Sequence, residues 1–208
     1  MGVWMWILCG LGVLLLLFAI PLLVDVLPAS VGGLLRSKEL IHFENTMSLS
    51  RERDLSVLFL MPLFLVALAY YRVLPSRLPA EGSVEASFGW TALFLLAYFV
   101  FRNLCFRLLG PKTDDMRIRQ VTGRSIFTFF VLLCMLMLLT YVAMLPFRLP
   151  DASVTLVFRR EIEAMYLIFL LRKFQILRMY HSIPKAVGFF FSLEMLPTLL
   201  FAALLFFF

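Results

Sequence analysis

The stretch that decides the fold runs from residue 186 to residue 208 and reads AVGFFFSLEMLPTLLFAALLFFF, with Glu194 as its only charged residue. A helix of about 20 apolar residues is long enough to cross a bilayer. A carboxylate inside such a segment is costly, and it usually has a partner, a proton or a role in function. These 23 residues therefore predict a transmembrane helix that carries one buried acidic group.

The whole chain has the composition of a membrane protein. Of its 208 residues, 62% are hydrophobic and only 15% are charged. Soluble domains carry roughly 45–50% apolar and about 25% charged residues, so much of this chain must face lipid rather than water. The apolar residues form long continuous runs instead of alternating with polar ones, which favours helices over a membrane β-barrel.

Six segments are candidates for transmembrane helices. We expect a single all-α membrane domain over residues 1–208, with spans at about 3–24, 55–71, 87–103, 125–147, 161–179 and 186–208. The fifth span is ambiguous, because charged residues flank its short apolar centre. One interpretation begins that helix near Glu161, and another begins it near Asp151 and places residues 152–163 in the membrane. We prefer the first, because arginines inside a membrane are rare.

The basic residues are distributed unevenly between the two sides of this arrangement. Fourteen of the 19 lysines and arginines fall in the first, third and fifth loops, and five fall in the second and fourth. Loops on the cytoplasmic side are enriched in Lys and Arg, so we expect both termini outside the cytoplasm. The net charge of +6 lies in blocks between apolar runs, which indicates contact with anionic lipids at the cytoplasmic face and not with nucleic acid.

Glu194, Ser192 and Pro197 form the first candidate site. Pro197 has no N–H to donate to the carbonyl of Leu193, so that carbonyl is free beside the carboxyl group, and Ser192 adds a hydroxyl. Such a group can hold a proton, a cation or a polar side chain of a partner helix. The alternative is structural: a neutral glutamate, hydrogen-bonded to a neighbouring helix, that fixes the bundle.

The second candidate site is the basic segment between the third and fourth spans. An apolar stripe at helical spacing continues the third span into this segment: Phe101, Leu104, Cys105 and Leu108. Long basic side chains near a span end can reach the head groups, so we expect the segment to bind lipid head groups or a partner protein. Ordinary positive-inside charge is the alternative. The residues concerned are Arg102, Arg107, Lys112, Arg117, Arg119 and Arg124.

Motifs of known catalytic chemistry are missing from the sequence. It has no Walker loop, G-x-S-x-G elbow, H-E-x-x-H zinc pair or dinucleotide fingerprint. We therefore expect no cofactor, no metal and no enzymatic activity. The leading hypothesis is a scaffold or subunit of an envelope complex that contacts other membrane proteins. The alternative is a small transporter or proton-coupled channel in which Glu194 titrates.

The segment FFFSLEMLPTLLFAALL, residues 189–205, resembles the end of an uncharacterised family of Bacteroidota membrane proteins, the domain of unknown function 4271. Its Leu-Glu-x-Leu-Pro core is matched by Leu193, Glu194, Leu196 and Pro197. ENTMSLSRERDL, residues 44–55, resembles the family's polar approach to its second span, and GRSIF around Arg124 is a looser match. The resemblance implies the inner membrane of a Gram-negative bacterium, and it implies no activity. In such a membrane, the distribution of basic residues predicts that both termini lie in the periplasm.

Overall fold

The computed structural model describes residues 3–73, 84–109 and 116–207. These residues form helices joined by short turns, and no strand occurs among them. The α-helices, in chain order, are α1 Val3–Leu35, α2 Ser37–Asn45, α3 Met47–Tyr70, α4 Val84–Leu109, α5 Met116–Met144, α6 Asp151–Tyr180, α7 Ile183–Phe190 and α8 Leu196–Phe207. A 3₁₀ turn, Leu145–Phe147, follows α5, and a π turn, Phe191–Met195, joins α7 to α8.

Five helical segments in the described ranges are long and apolar enough to cross a membrane. They are Gly10–Leu35, Met47–Tyr70, Ala86–Leu109, Val121–Phe147 and Ile183–Ala203. The α6 helix has 30 residues, about 45 Å of length, but its charged side chains distinguish it from these five. The prediction of an all-α polytopic protein is confirmed.

The α6 helix is uninterrupted and begins at Asp151, not near Glu161 as we preferred from the sequence. Two of the charged residues in its first half have polar partners on neighbouring segments. Arg159 donates to the carbonyl of Val73 at 3.1 Å, and Glu161 accepts a hydrogen bond from the hydroxyl of Thr140. The second of the two interpretations therefore gives the correct start of this helix.

The α6 helix also runs the whole height of the bundle. Near its start, Thr155 donates to the carbonyl of Tyr71 at 2.7 Å, just beyond the end of α3. Near its end, Arg172 donates from Nε and Nη2 to the carbonyls of Leu34 and Leu35, each at 2.8 Å. These are acceptors that the end of α1 leaves free, and a cation is favourable there. The end of the bundle that contains α2 is called the α2 end below, and the other is the opposite end.

The core lies where α3, α5 and α6 meet. The rings of Phe64 and Phe130 join α3 to α5 in an edge-to-face contact at 5.0 Å, and those of Phe129 and Phe169 join α5 to α6 at 5.5 Å. The α1 helix packs along α3, while α4 and α6 both contact the C-terminal helical segments. Many large leucines cover the outside of the bundle, as expected where lipid takes the place of water.

Candidate functional site

Glu194 lies in the π turn, where the C-terminal helix changes its hydrogen-bonding pattern. The N–H of Leu196 donates to the carbonyl of Phe191, five residues earlier instead of four. Pro197 is buried directly after it, and because proline has no N–H it cannot donate to the carbonyl of Leu193. Single π turns within helices are frequent at functional sites. Here the turn places Glu194 inside the bundle, fully buried.

Two cations from two other helices bind the Glu194 carboxylate. Arg102 of α4 donates from Nε to Oε2 at 3.1 Å and from Nη2 to Oε1 at 2.7 Å. Lys173 of α6 donates from Nζ to Oε1. The side chains are 8% exposed for Arg102, 1% for Lys173 and 0% for Glu194. A two-pronged arginine–carboxylate pair fixes orientation as well as distance, so these three residues, the triad, set how α4, α6 and the C-terminal helix meet.

The ring of Phe169 lies against both cations of the triad. Its centroid is 5.9 Å from the guanidinium carbon of Arg102 and 5.5 Å from Nζ of Lys173. A desolvated cation gains about 2 kcal/mol from such a contact. The triad contains two cationic side chains and one carboxylate, so the negative face of the ring compensates part of the excess positive charge.

Three hydroxyl groups lie one helical turn from the triad, toward the opposite end. The hydroxyl of Thr198 is hydrogen-bonded to that of Tyr166 and lies 3.4 Å from that of Tyr98. Tyr98 precedes Arg102 by four residues and Thr198 follows Glu194 by four, so each shares a helix face with its triad residue. Together they continue the polar contact between α4, α6 and α8.

The structure separates the residues that the sequence grouped with Glu194. The hydroxyl of Ser192 donates to the carbonyl of Gly188 at 2.8 Å, so it satisfies its own helix and not the carboxylate. Pro197 acts through the backbone, because it has no N–H to donate to the carbonyl of Leu193. The partners that the sequence did not assign to Glu194 are Arg102 and Lys173, which lie 92 and 21 residues away along the chain.

The expectation that Arg102 reaches the lipid head groups is corrected. Its guanidinium is buried because Glu194 supplies a counter-charge inside the bundle. Of the other residues in that basic set, Arg107 and Arg124 are exposed, and Arg117 and Arg119 lie in the first turns of α5. Lys112 lies outside the described residues. Lipid or partner binding by these five residues stays a prediction.

A second buried ion pair, which the sequence analysis did not single out, joins α2 to α3. Arg53 pairs with Glu44, and both side chains are fully buried. Arg53 also donates from Nε and Nη2 to Oδ1 of Asp54, at 3.1 and 2.6 Å. Thr128 of α5 donates to Oε1 of Glu44 at 2.7 Å. This cluster ties α2 and α5 to the start of α3 at the α2 end.

Aromatic rings and burial shape the electrostatics of this second cluster. The guanidinium carbon of Arg53 lies 6.0 Å from the ring centroid of Phe43 and 5.8 Å from that of Phe127. Burial raises the pKa of Glu44, because the carboxylate loses water, while Arg53 and Thr128 act in the other direction. The sequence signal was the spacing of Leu40, Phe43 and Glu44, which share one face of α2 and are all buried.

No protein-family model matches this chain, and no curated protein or solved structure matches it. The resemblance of residues 189–205 to the Bacteroidota family therefore stays a prediction. Fold and composition define the class of protein directly: an all-α, multi-pass helical membrane protein. Its distinguishing feature in the described part of the chain is the triad, formed by residues that belong to three different helical segments.

Proposed function

We propose that this protein is a non-enzymatic scaffold or subunit of a bacterial inner-membrane complex, and that it docks with another membrane protein through the outer face of α6. The observation that supports this proposal is the ion pair of Arg160 and Glu163. Nη1 of Arg160 lies 2.8 Å from Oε2 of Glu163, and the two side chains are 73% and 50% exposed. Both charges therefore point away from the bundle.

The height of this pair in the bundle makes its exposure unusual. Thr155 marks the opposite end and Arg172 the α2 end through their contacts with α3 and α1. Glu163 lies between them along α6, about 12 Å from Thr155 and about 14 Å from Arg172 at a rise of 1.5 Å per residue. Charged side chains at such a depth are rare on a lipid-facing surface and usually face protein or water. A second protein that covers α6 would remove the pair from lipid.

The pair belongs to an exposed row of side chains on α6, called the α6 ridge. Its members follow one another at intervals typical of helix-packing seams: Leu156, Arg160, Glu163, Leu167 and Leu171. The three leucines are 56%, 60% and 64% exposed. They fit an apolar partner helix, and the ion pair selects a helix that carries a polar group at the same height. A transmembrane helix of another protein is thus the proposed occupant.

The triad supports a structural role for Glu194 within this proposal. Both of its carboxylate oxygens already accept hydrogen bonds from Arg102 or Lys173. A proton or a cation could bind Glu194 only by displacing one of these donors, and this displacement disfavours a transport cycle in which Glu194 takes up and releases the transported ion. A locked bundle instead keeps the α6 ridge in a fixed position, as a docking surface requires. A transporter or proton-coupled channel is for this reason the less supported alternative.

Site-specific photocrosslinking tests the proposed docking surface. A photoreactive residue at position 167, on the ridge, should crosslink to a second protein in native membranes. A matched residue at Leu139 of α5, which is 64% exposed, should crosslink to lipid alone. Equal protein crosslinking at both positions would contradict a specific surface. Crosslinks only to a second copy of this chain would make the ridge a self-association face and would contradict docking to another protein.

A double substitution tests the role of the ion pair itself. R160L/E163L should abolish co-purification of the crosslinked partner in mild detergent. The control is R36L/E39L, which removes a second exposed Arg–Glu pair of the same spacing among the described residues. This pair lies at the α2 end, with side chains 78% and 48% exposed. That variant should retain the partner.

The transporter alternative is tested with Glu194→Gln in vesicles, where an unchanged proton flux would exclude it.

A further inference from the structure

We propose that a cleft at the α2 end binds the phosphate of an anionic glycerophospholipid. The cleft lies between the start of α3 and α5 and has a volume of about 540 Å³. This volume is in the usual range for a small-molecule site, about 300–1,000 Å³. The lipid site is independent of the α6 ridge, which lies on another helix. A negative result for lipid binding would therefore leave the proposed docking surface unaffected, and the reverse also holds.

Two arginines from different helices line the cleft. Arg51 comes from α3 and Arg124 from α5, and both are exposed. Neither side chain makes a hydrogen bond or an ion pair with another residue in the part of the chain that the structure describes. This separates them from Arg53 and Arg102, whose guanidinium groups are occupied by carboxylates. Guanidinium groups bind phosphate oxygens in a planar, two-pronged geometry, and two of them at one cleft favour an anion.

Asp54 gives the cleft a further preference. Its Oδ1 accepts two hydrogen bonds from Arg53. These compensate part of its charge, because the same guanidinium also pairs with Glu44, and they reduce its repulsion of a phosphate. The side chain is 42% exposed and also lines the cleft, as does Ser48. A carboxylate and a hydroxyl beside a phosphate site favour a head group with hydroxyls, such as the glycerol of phosphatidylglycerol.

The apolar residues that follow Arg51 indicate a lipid rather than a soluble phosphate. Leu55 and Leu58 come four and seven residues later, so the three residues share one face of α3. The leucines are 37% and 63% exposed. Leu55 begins the long apolar run of this helix. Arg51 therefore lies at the boundary between the polar and the hydrophobic parts of α3. The acyl chain of a lipid can lie along the leucines while the phosphate of the same lipid contacts the arginines. A soluble anion has no apolar part that would contact the leucines.

Lipid retention measured by native mass spectrometry tests this site. The full chain is purified, exchanged into phosphatidylcholine nanodiscs with added phosphatidylglycerol, and compared with R51A/R124A. A basic residue at a membrane surface contributes about one kilocalorie per mole, so loss of two should weaken phosphatidylglycerol binding roughly thirtyfold. The matched control is R178A/K185A, which removes two other exposed cations near the α2 end and should leave binding nearly unchanged. Helicity by circular dichroism shows that both variants fold.

Three outcomes would overturn the proposal. Equal phosphatidylglycerol retention by the wild type and R51A/R124A would show that the arginines bind no phosphate. Equal retention of phosphatidylcholine and phosphatidylglycerol would show that apolar packing alone holds lipid there. Displacement of the lipid by millimolar inorganic phosphate or glycerol 3-phosphate would assign the cleft to a soluble anion. Selective retention that depends on both arginines and resists these anions would support the lipid site.

Discussion

The guanidinium of Arg102 binds the carboxylate of Glu194 through two parallel hydrogen bonds, although the two residues are 92 positions apart in the chain. Because the pair is withdrawn from solvent, its attraction is balanced against a large desolvation cost. Lys173 adds a second cation to the same carboxylate. The three members are therefore unequal, and substitutions at each should have different effects.

Glu194→Gln should be the most damaging change in the triad. It keeps the size of the side chain but leaves two buried cations without a counter-charge, and breaking a buried pair in this way costs about 3–5 kcal/mol. The free energy of unfolding, measured by denaturant titration in bicelles, should fall by that amount. The control Ser192→Ala removes a hydroxyl that serves only its own helix and should cost less than about 1 kcal/mol. Equal losses for the two variants would refute a central role for the triad.

Lys173→Met should be better tolerated than Glu194→Gln. The Arg102–Glu194 pair stays intact in this variant, and the buried site becomes neutral instead of retaining one excess cation. In the same bicelle titration, the decrease in the free energy of unfolding should be at least about 2 kcal/mol smaller for Lys173→Met than for Glu194→Gln. The triple variant R102L/K173M/E194L should also recover much of the stability, because apolar replacement of a whole buried ionic cluster is often neutral. A larger loss for Lys173→Met than for Glu194→Gln would show that the lysine, not the arginine, secures the carboxylate.

The sequence was sufficient to find Glu194 but not its partners, and α4 shows why. The apolar stripe does continue the third span, because α4 extends to Leu109. Its Leu104 and Leu108 are 49% and 66% exposed, whereas its Cys105 is buried. The buried residues of this helix also include the polar side chains of Thr91 and Arg102. In lipid, apolar residues can face outward while polar groups face the bundle, so the apolar spacing of α4 does not indicate which of its faces is buried.

The sequence around Lys173 and Arg53 did not indicate that these two cations are buried. Lys173 stands among several charged residues of α6, and nothing in their spacing separates the one fully buried cation from the exposed ones. Arg53 lies in the polar segment SRERD, where it alone of two arginines turns inward. The helical class, by contrast, follows from composition and run length. Which charges meet depends on contacts between residues far apart in the chain, and a single sequence does not contain them.

Glu44 should make the stability of the protein depend on pH. Burial raises its pKa above the ordinary value of 4.5. A group whose pKa is higher in the folded state contributes stability that is present below the unfolded pKa and is lost as pH rises through the folded one. The contribution of Glu44 to the unfolding free energy should therefore fall as pH rises above 4.5 through the raised pKa.

The comparison with Glu44→Gln isolates this effect, because glutamine cannot ionise. The stability of this variant relative to the wild type should increase as pH rises through the same window. A difference between wild type and Glu44→Gln that stays constant with pH would contradict the raised pKa.

Arg172→Met should weaken the junction between α6 and α1. The substitution removes two hydrogen bonds to carbonyls that the helix end cannot satisfy itself, and bonds from charged donors are worth about 1.5–3 kcal/mol each. Partial exposure and access of water reduce the expected loss to about 2 kcal/mol. Arg178→Met, on the exposed side of the same helix, should be nearly neutral. Faster hydrogen exchange at Arg36, whose N–H bonds to the carbonyl of Gly32, should accompany the loss in Arg172→Met alone.

The contact of Arg172 with Leu35 also has a consequence for biosynthesis. The two residues are 137 positions apart, and a ribosome adding about 5–20 residues per second needs on the order of ten seconds to make the intervening chain. Until Arg172 has been synthesised, the carbonyls of Leu34 and Leu35 lack the donor that α6 supplies in the folded protein. A nascent chain stalled before the arginine emerges would thus carry an unfinished first helix, which quality-control proteases could recognise.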